Sequence, residues 1–183
     1  MSTAPEKILE SAAENTFLEK EQVEALYADF CKVSDRWQMM HRMHLTNLYQ
    51  RYFPDGDATN FAKHVFRTMD VNKKGKIDFK QFLQYHHLLI HGRLEEKMKW
   101  IFHVFDSDED GLIDRNEMFT VLNDARKLRG RRQLPKDSST RQRVDMIFRK
   151  LDRDCSGSID LEEFVNGGKK DPSIVGFFLS QTM

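Results

Sequence analysis

Apolar residues recur at three- and four-residue steps along most of the chain, and that spacing predicts a series of amphipathic helices. One runs from about Lys20 to Lys32, with Val23, Leu26, Tyr27 and Phe30 on one face. Others are expected from Met43 to Phe53, from Ala58 to Met69 with Phe61, Val65, Phe66 and Met69 inward, and from Phe79 to Ile90. Met98, Ile101, Phe102 and Phe105 mark a helix from Leu94 to Phe105, with Trp100 beside the stripe. Met118, Phe119, Val121 and Leu122 open another, and Val144, Ile147, Phe148 and Leu151 mark the next. Phe164 and Val165 begin a short helix that Gly167-Gly168 is expected to end. Residues 5–15 read as a short helix or a frayed arm, and Asp171-Pro172 opens a small amphipathic helix through Leu179. Asn123 to Arg143 is basic, carries Gly130 and Pro135, and reads as an extended linker. The expected fold is all-α.

The polar stretches between these helices carry the chemistry. Asp106 to Glu117 reads D-S-D-E-D-G-L-I-D-R-N-E. Acids at positions one, three, five, nine and twelve, with glycine at six, match the calcium loop of an EF-hand. Calcium takes several oxygen ligands at once, so the chain must turn sharply around it. Asp106, Asp108 and Asp110 offer side-chain oxygens, and Leu112 its carbonyl. Asp114 acts directly or through water, Glu117 offers both oxygens, and Gly111 permits the turn. Asp152 to Glu163 repeats the pattern with Asp152, Asp154, Ser156, the Ser158 carbonyl, Asp160 and Glu163.

Two further loops depart from it. Asp70 to Gln81 keeps Asp70, Asn72, Gly75, Ile77 and Asp78, but Lys74 stands at position five and Gln81 at twelve. A cation near the ion and a neutral last ligand should leave this loop empty or weak, or suited to Mg2+. Val33 to His44 has almost no ligands left, and Gln38 replaces the turn glycine. Met40, at position eight, can still supply a short strand that pairs with the neighbouring loop. The expected architecture is four EF-hands in two paired lobes with short loop-pairing strands. An arm (1–19), a first pair (20–91), a second pair (92–170) and a tail (171–183) divide the chain, with Gly92 as a hinge.

Composition narrows the functions. The 183 residues carry 29 basic and 29 acidic side chains, which disfavours nucleic-acid binding. Two cysteines, Cys31 and Cys155, suggest a reducing compartment, and a cytoplasmic location is expected. No apolar run reaches the length of a membrane span. Ser2 stands where N-myristoylation needs glycine, so no myristoyl-driven membrane binding is expected. His87 and His91 are spaced to share a metal, but no third ligand is in view.

Several stretches resemble the neuronal calcium sensor family, the recoverin and visinin-like branch of EF-hand proteins. They include Tyr52-Phe53-Pro54, Ala62 to Arg67, Asp78-Phe79, Leu94 to Trp100 and Asp171 to Val175. Leu94 to Met118 is also similar to the calaxins, related regulators of ciliary dynein. The resemblance covers about residues 17–179. It implies calcium-driven opening and capture of a target helix in an N-terminal groove. Phe61, Phe66, Met69, Phe82 and Tyr85 are candidates to line that groove. The absent glycine at the second position, the faulty second loop and the missing Cys-Pro pair of the first hand mark a divergent member. The expected function is a sensor that holds two Ca2+ and regulates a partner protein. An intracellular calcium buffer without a dedicated target, or a calaxin-like regulator of ciliary dynein, is the alternative. No nucleophile–base set or phosphate loop points to an enzyme.

Overall fold

The computed structural model describes residues 18–130 and 140–171. The expected helix at 5–15, residues 172–179 of the expected C-terminal helix, and residues 131–139 of the basic stretch lie outside them. Twelve elements follow in order among the described residues. They are α1 (Lys20–Val33), β1 (Met40–His41), α2 (Arg42–Tyr52), α3 (Thr59–Met69), β2 (Lys76–Ile77) and α4 (Phe79–His91). Then come α5 (Leu94–Phe105), β3 (Leu112–Ile113), α6 (Arg115–Arg129), α7 (Thr140–Leu151), β4 (Ile159–Asp160) and α8 (Leu161–Lys170). No helix among the described residues is long and apolar enough to cross a membrane.

The strands are two residues each and join the loops in pairs. β1 runs antiparallel to β2 with Met40 opposite Ile77, and β3 to β4 with Ile113 opposite Ile159. All four of these side chains are fully buried, so each position-eight residue ties a loop to the core. Met40 does so although its loop has lost nearly all its ligands.

The helices that leave the loops begin on loop residues. Asp78, Asp114 and Asp160, each at position nine, accept the N–H of the residue three further on, at 2.9, 2.7 and 2.7 Å. Gln81, Glu117 and Glu163 accept back from the capping residue's own N–H. These are reciprocal capping boxes, which satisfy two orphan donors per helix. The loop pattern therefore also starts the helix.

Two helix ends differ from expectation. The linker expected from Asn123 to Arg143 is helical at both ends, since α6 continues to Arg129 and α7 begins at Thr140. Asp124, Ala125 and Leu128 are buried, and the Asp57 N–H holds the Lys127 carbonyl at 2.9 Å. Gly56 lies so close that a Cβ there would sit 1.7 Å from the Leu128 carbonyl oxygen. Nor do Gly167-Gly168 end α8. They run inside it, where a Cβ would fall 2.1 Å from a Leu151 methyl and 2.1 Å from the Met98 methyl. Close packing, not helix termination, requires glycine at both positions.

Helix α3 grips both helices that flank the third loop. Arg67 donates to the Ser107 and His103 carbonyls at 2.7 Å each and to that of Val104 at 3.2 Å, capping the end of α5. Trp100 Nε1 on α5 donates to Thr68 Oγ1 at 2.8 Å. On the other side, buried Asp124 of α6 meets His64 Nε2 at 3.1 Å and Asn60 Nδ2 at 3.4 Å.

Burial holds the His64 imidazole below its ordinary value, outweighing the opposing pull of Asp124, while Arg67 and Lys63 push the same way as burial. The unfolded chain therefore protonates His64 at a pH where the folded chain keeps it neutral. That contribution to stability is fully present above about pH 6.5 and is lost as the pH falls below it. The urea midpoint should drop between neutral and mildly acid pH, and His64→Gln should flatten the drop. His86, also lowered by burial, adds a remaining slope of the same sign. An unchanged slope in His64→Gln would contradict the assignment.

Candidate metal centres

In the third loop, carboxylate oxygens of Asp106, Asp108 and Glu117 lie within 4.8 Å of one another. Asp106 is buried, and its Oδ1 has no hydrogen-bond partner. A buried, unsatisfied carboxylate oxygen is costly unless something else meets it. The other oxygen, Oδ2, accepts the Gly111 N–H at 3.2 Å. Glu117 reaches back across the loop: Oε1 accepts from Ser107 N at 2.6 Å, and Oε2 from Asp114 N at 3.0 Å. Burial raises the Glu117 pKa despite those backbone donors. Asp110 Oδ1 accepts from the Leu112 N–H at 2.8 Å, Asp114 caps α6, and Leu112 lies in β3. The hard oxygen donors, the orphaned buried oxygen and the left-handed backbone at Glu109 and Gly111 fit a calcium ion.

The fourth loop is built alike. Asp152, Asp154 and Glu163 bring carboxylate oxygens within 4.8 Å of one another. Asp152 accepts the Ser156 N–H at 3.0 Å and the Gly157 N–H at 3.1 Å. Ser156 N–H, the largest influence, lowers the Asp154 pKa. Ser156 Oγ donates to the Ser158 carbonyl at 3.1 Å, Glu163 Oε1 accepts from Arg153 N at 2.8 Å, and Asp160 caps α8.

The second loop keeps the backbone path but not the full set of ligand carboxylates, retaining only Asp70 and Asp78. Both oxygens of Asp70 are taken by the Lys74 and Gly75 N–H groups, at 3.0 and 2.6 Å. Gln81 turns its amide to the Met69 carbonyl at 3.3 Å. Lys73 instead pairs with Glu109 of the third loop. In the first loop Gln38 takes up the left-handed conformation of the missing glycine, with φ 58°. Asp35, which sequence spacing did not single out, organises this loop. Its Oδ1 accepts from Trp37 N and Met39 N at 2.9 Å each, and Oδ2 meets His41 Nε2 at 3.0 Å. The Met39 N–H is the largest cause holding its pKa below the usual range. The His87 and His91 rings lie 5.3 Å apart, and among the described residues they belong to no three-ligand group.

An apolar groove of about 610 Å³ opens between α1, α2 and α4. Leu26, Leu48, Phe82, Tyr85 and Leu89 are among its lining residues. Of the five groove candidates, Phe82 and Tyr85 line it. Phe61 and Met69 are instead core residues, 1% and 3% exposed, because the α3 face that carries them packs inward. Phe66 is buried too and borders a separate concavity beside the second and third loops. Leu26, Leu48 and Leu89 were missed because groove and core residues share one helical periodicity.

An EF-hand domain pair model matches residues 95–167, and an EF hand model matches residues 62–82. Neuronal calcium sensor 1 of Lymnaea stagnalis is 35% identical over 132 residues, covering 71% of this chain and 69% of the relative. The chain belongs to the neuronal calcium sensor family. It is thus a calcium-binding EF-hand protein, with acidic clusters in its third and fourth loops. Within this neuronal calcium sensor the first two loops depart from the calcium-loop pattern: Asp35 holds the first by accepting backbone N–H groups, and in the second Asp70 is occupied by the Lys74 and Gly75 N–H groups.

Proposed function

We propose that the protein is a calcium sensor that holds two ions, in the third and fourth loops, and regulates a partner protein through the α1–α2–α4 groove. The ligands are Asp106, Asp108, Asp110, the Leu112 carbonyl, Asp114 and Glu117, and Asp152, Asp154, Ser156, the Ser158 carbonyl, Asp160 and Glu163. Two lobes, divided at Gly92, and a cytoplasmic location belong to the same proposal. Calcium, when bound, supplies a divalent charge for which these oxygens replace water.

One observation favours a sensor over a buffer. Tyr85 lines the groove, and its ring meets that of Trp100 edge-on at 5.3 Å. Trp100 sits on α5, the helix that leads into the third loop, and bonds to Thr68 of α3. A shift of α5 is therefore felt directly by a groove residue. An amphipathic helix is the natural occupant of an apolar groove between helices.

Calorimetric titration should count two ions per chain. A count of three, reduced to two by Asp70→Ala, would overturn the reading of the second loop. Binding of an apolar dye should rise on calcium addition. Dye binding that ignores calcium would leave a buffer.

A further inference from the structure

We propose that the tip of the first loop pair is a docking surface for anionic lipid bilayers. The two loop pairs are oppositely charged. Residues 33–44 and 70–81 hold six Lys/Arg and three Asp, whereas residues 106–117 and 152–163 hold two Arg and eleven Asp/Glu. The three acids of the first pair are engaged within the lobe. Asp35 closes its loop, Asp70 is buried on backbone donors, and Asp78 caps α4. Lys74 and Lys76 are exposed and make no ion pair among the described residues. The Arg36 guanidinium stands over the Trp37 ring, 3.9 Å from its centroid.

Beside these cations the loops expose two apolar side chains. Trp37 is 67% exposed and Val71 is 76% exposed. Trp37 is held outward by backbone geometry, since Asp35 takes the Trp37 and Met39 N–H groups and Gln38 turns the chain. The β1–β2 pairing, with His41 Nδ1 at 3.3 Å from the Gly75 carbonyl, brings both loops to one end of the lobe. The degenerate loops carry an indole, a valine and lysines.

That combination matches a bilayer surface. An indole suits the headgroup boundary because its body is apolar and its N–H is polar. Exposed Lys and Arg are drawn to an anionic leaflet; Lys73 is paired with Glu109 of the third loop, which leaves Lys74 and Lys76 to meet it. An acidic peptide would answer the lysines alone. Neither Trp37 nor Val71 lines the groove or the concavity described above; both side chains stand out from the surface, as insertion into a headgroup layer requires. The surface needs no acyl chain and does not depend on the partner groove.

The test uses the full, unacylated chain, with chelator, and vesicles of phosphatidylcholine with and without phosphatidylserine. Co-sedimentation should be at least about tenfold stronger with phosphatidylserine and should fall in high salt. Trp37 emission should shift to the blue on those vesicles. The double variant Lys74→Glu/Lys76→Glu should weaken binding about tenfold or more, and Trp37→Ser should weaken it and remove the shift. Both variants should keep parental helicity and calcium titrations, which separates lost docking from lost folding. Equal binding to neutral vesicles would overturn the proposal. So would a loop variant that still binds while Arg131→Gln/Arg132→Gln does not. Binding to polyglutamate but not to vesicles would replace the bilayer with an acidic polypeptide.

Discussion

Glu117→Gln should weaken calcium binding at the third loop by about 100-fold or more, because ligand charge sets affinity in these sites. The substitution keeps the shape of the side chain and one accepting oxygen for the Ser107 N–H, and the Asp114 cap of α6 survives. Only the charge and the second carboxylate oxygen are lost. The fourth loop should weaken as well, although none of its ligands changes. Ile113 and Ile159 pair across β3–β4 and are both buried, so ordering one loop helps order the other. Such coupling is reciprocal in binding free energy, and a value on the order of 1 kcal/mol is expected. Glu163→Gln should therefore weaken the third loop by the same increment. Trp100 is buried on α5 and can report the third loop, provided exposed Trp37 is first changed to Phe. A third-loop midpoint indifferent to Glu163→Gln would mean that the paired loops act independently.

Phe164→Ala should destabilise the calcium-depleted protein by about 3–5 kcal/mol, the usual cost of emptying a buried phenylalanine site. Phe164 is fully buried between α8 and α5, with its ring edge-on to Phe102 at 5.8 Å and tilted on Phe105 at 6.4 Å. Gly168 and Met98 bring the same two helices into close contact, so the cavity has little room to collapse. A domain is stable by only about 5–15 kcal/mol, so the loss should move the urea midpoint plainly. Phe119→Ala, at a half-buried site, should cost less. A loss below about 1 kcal/mol in Phe164→Ala would mean that the α5–α8 contact does not carry the stability of this half.

The acidic loops were legible as loops, because a candidate ligand set, a turn glycine and a helix cap lie within twelve consecutive positions. Local geometry decides them, and no distant contact is needed. The same locality made the faults at Lys74 and Gln81 visible. It also let Met40 be placed in a strand from its position alone.

What the sequence could not settle are contacts between residues far apart in the chain. Gly167-Gly168 looks like a helix end, and only Leu151 and Met98 pressing on α8 explain why the helix continues. Asn123 to Arg129 looks like linker because it is polar. Asp124 is nevertheless buried on His64 and Asn60, 60 and 64 residues earlier, and that anchors α6 against α3. Phe61 and Phe82 look alike as apolar positions on helical faces, yet one is core and the other lines the groove. Periodicity states which face of a helix is apolar. Only the packing of the other helices decides whether that face is covered. The sequence alone marked the four loops and the helices between them, while the ends of α6 and α8, the groove, the grip of α3 and the exposed loop tips came from the tertiary structure.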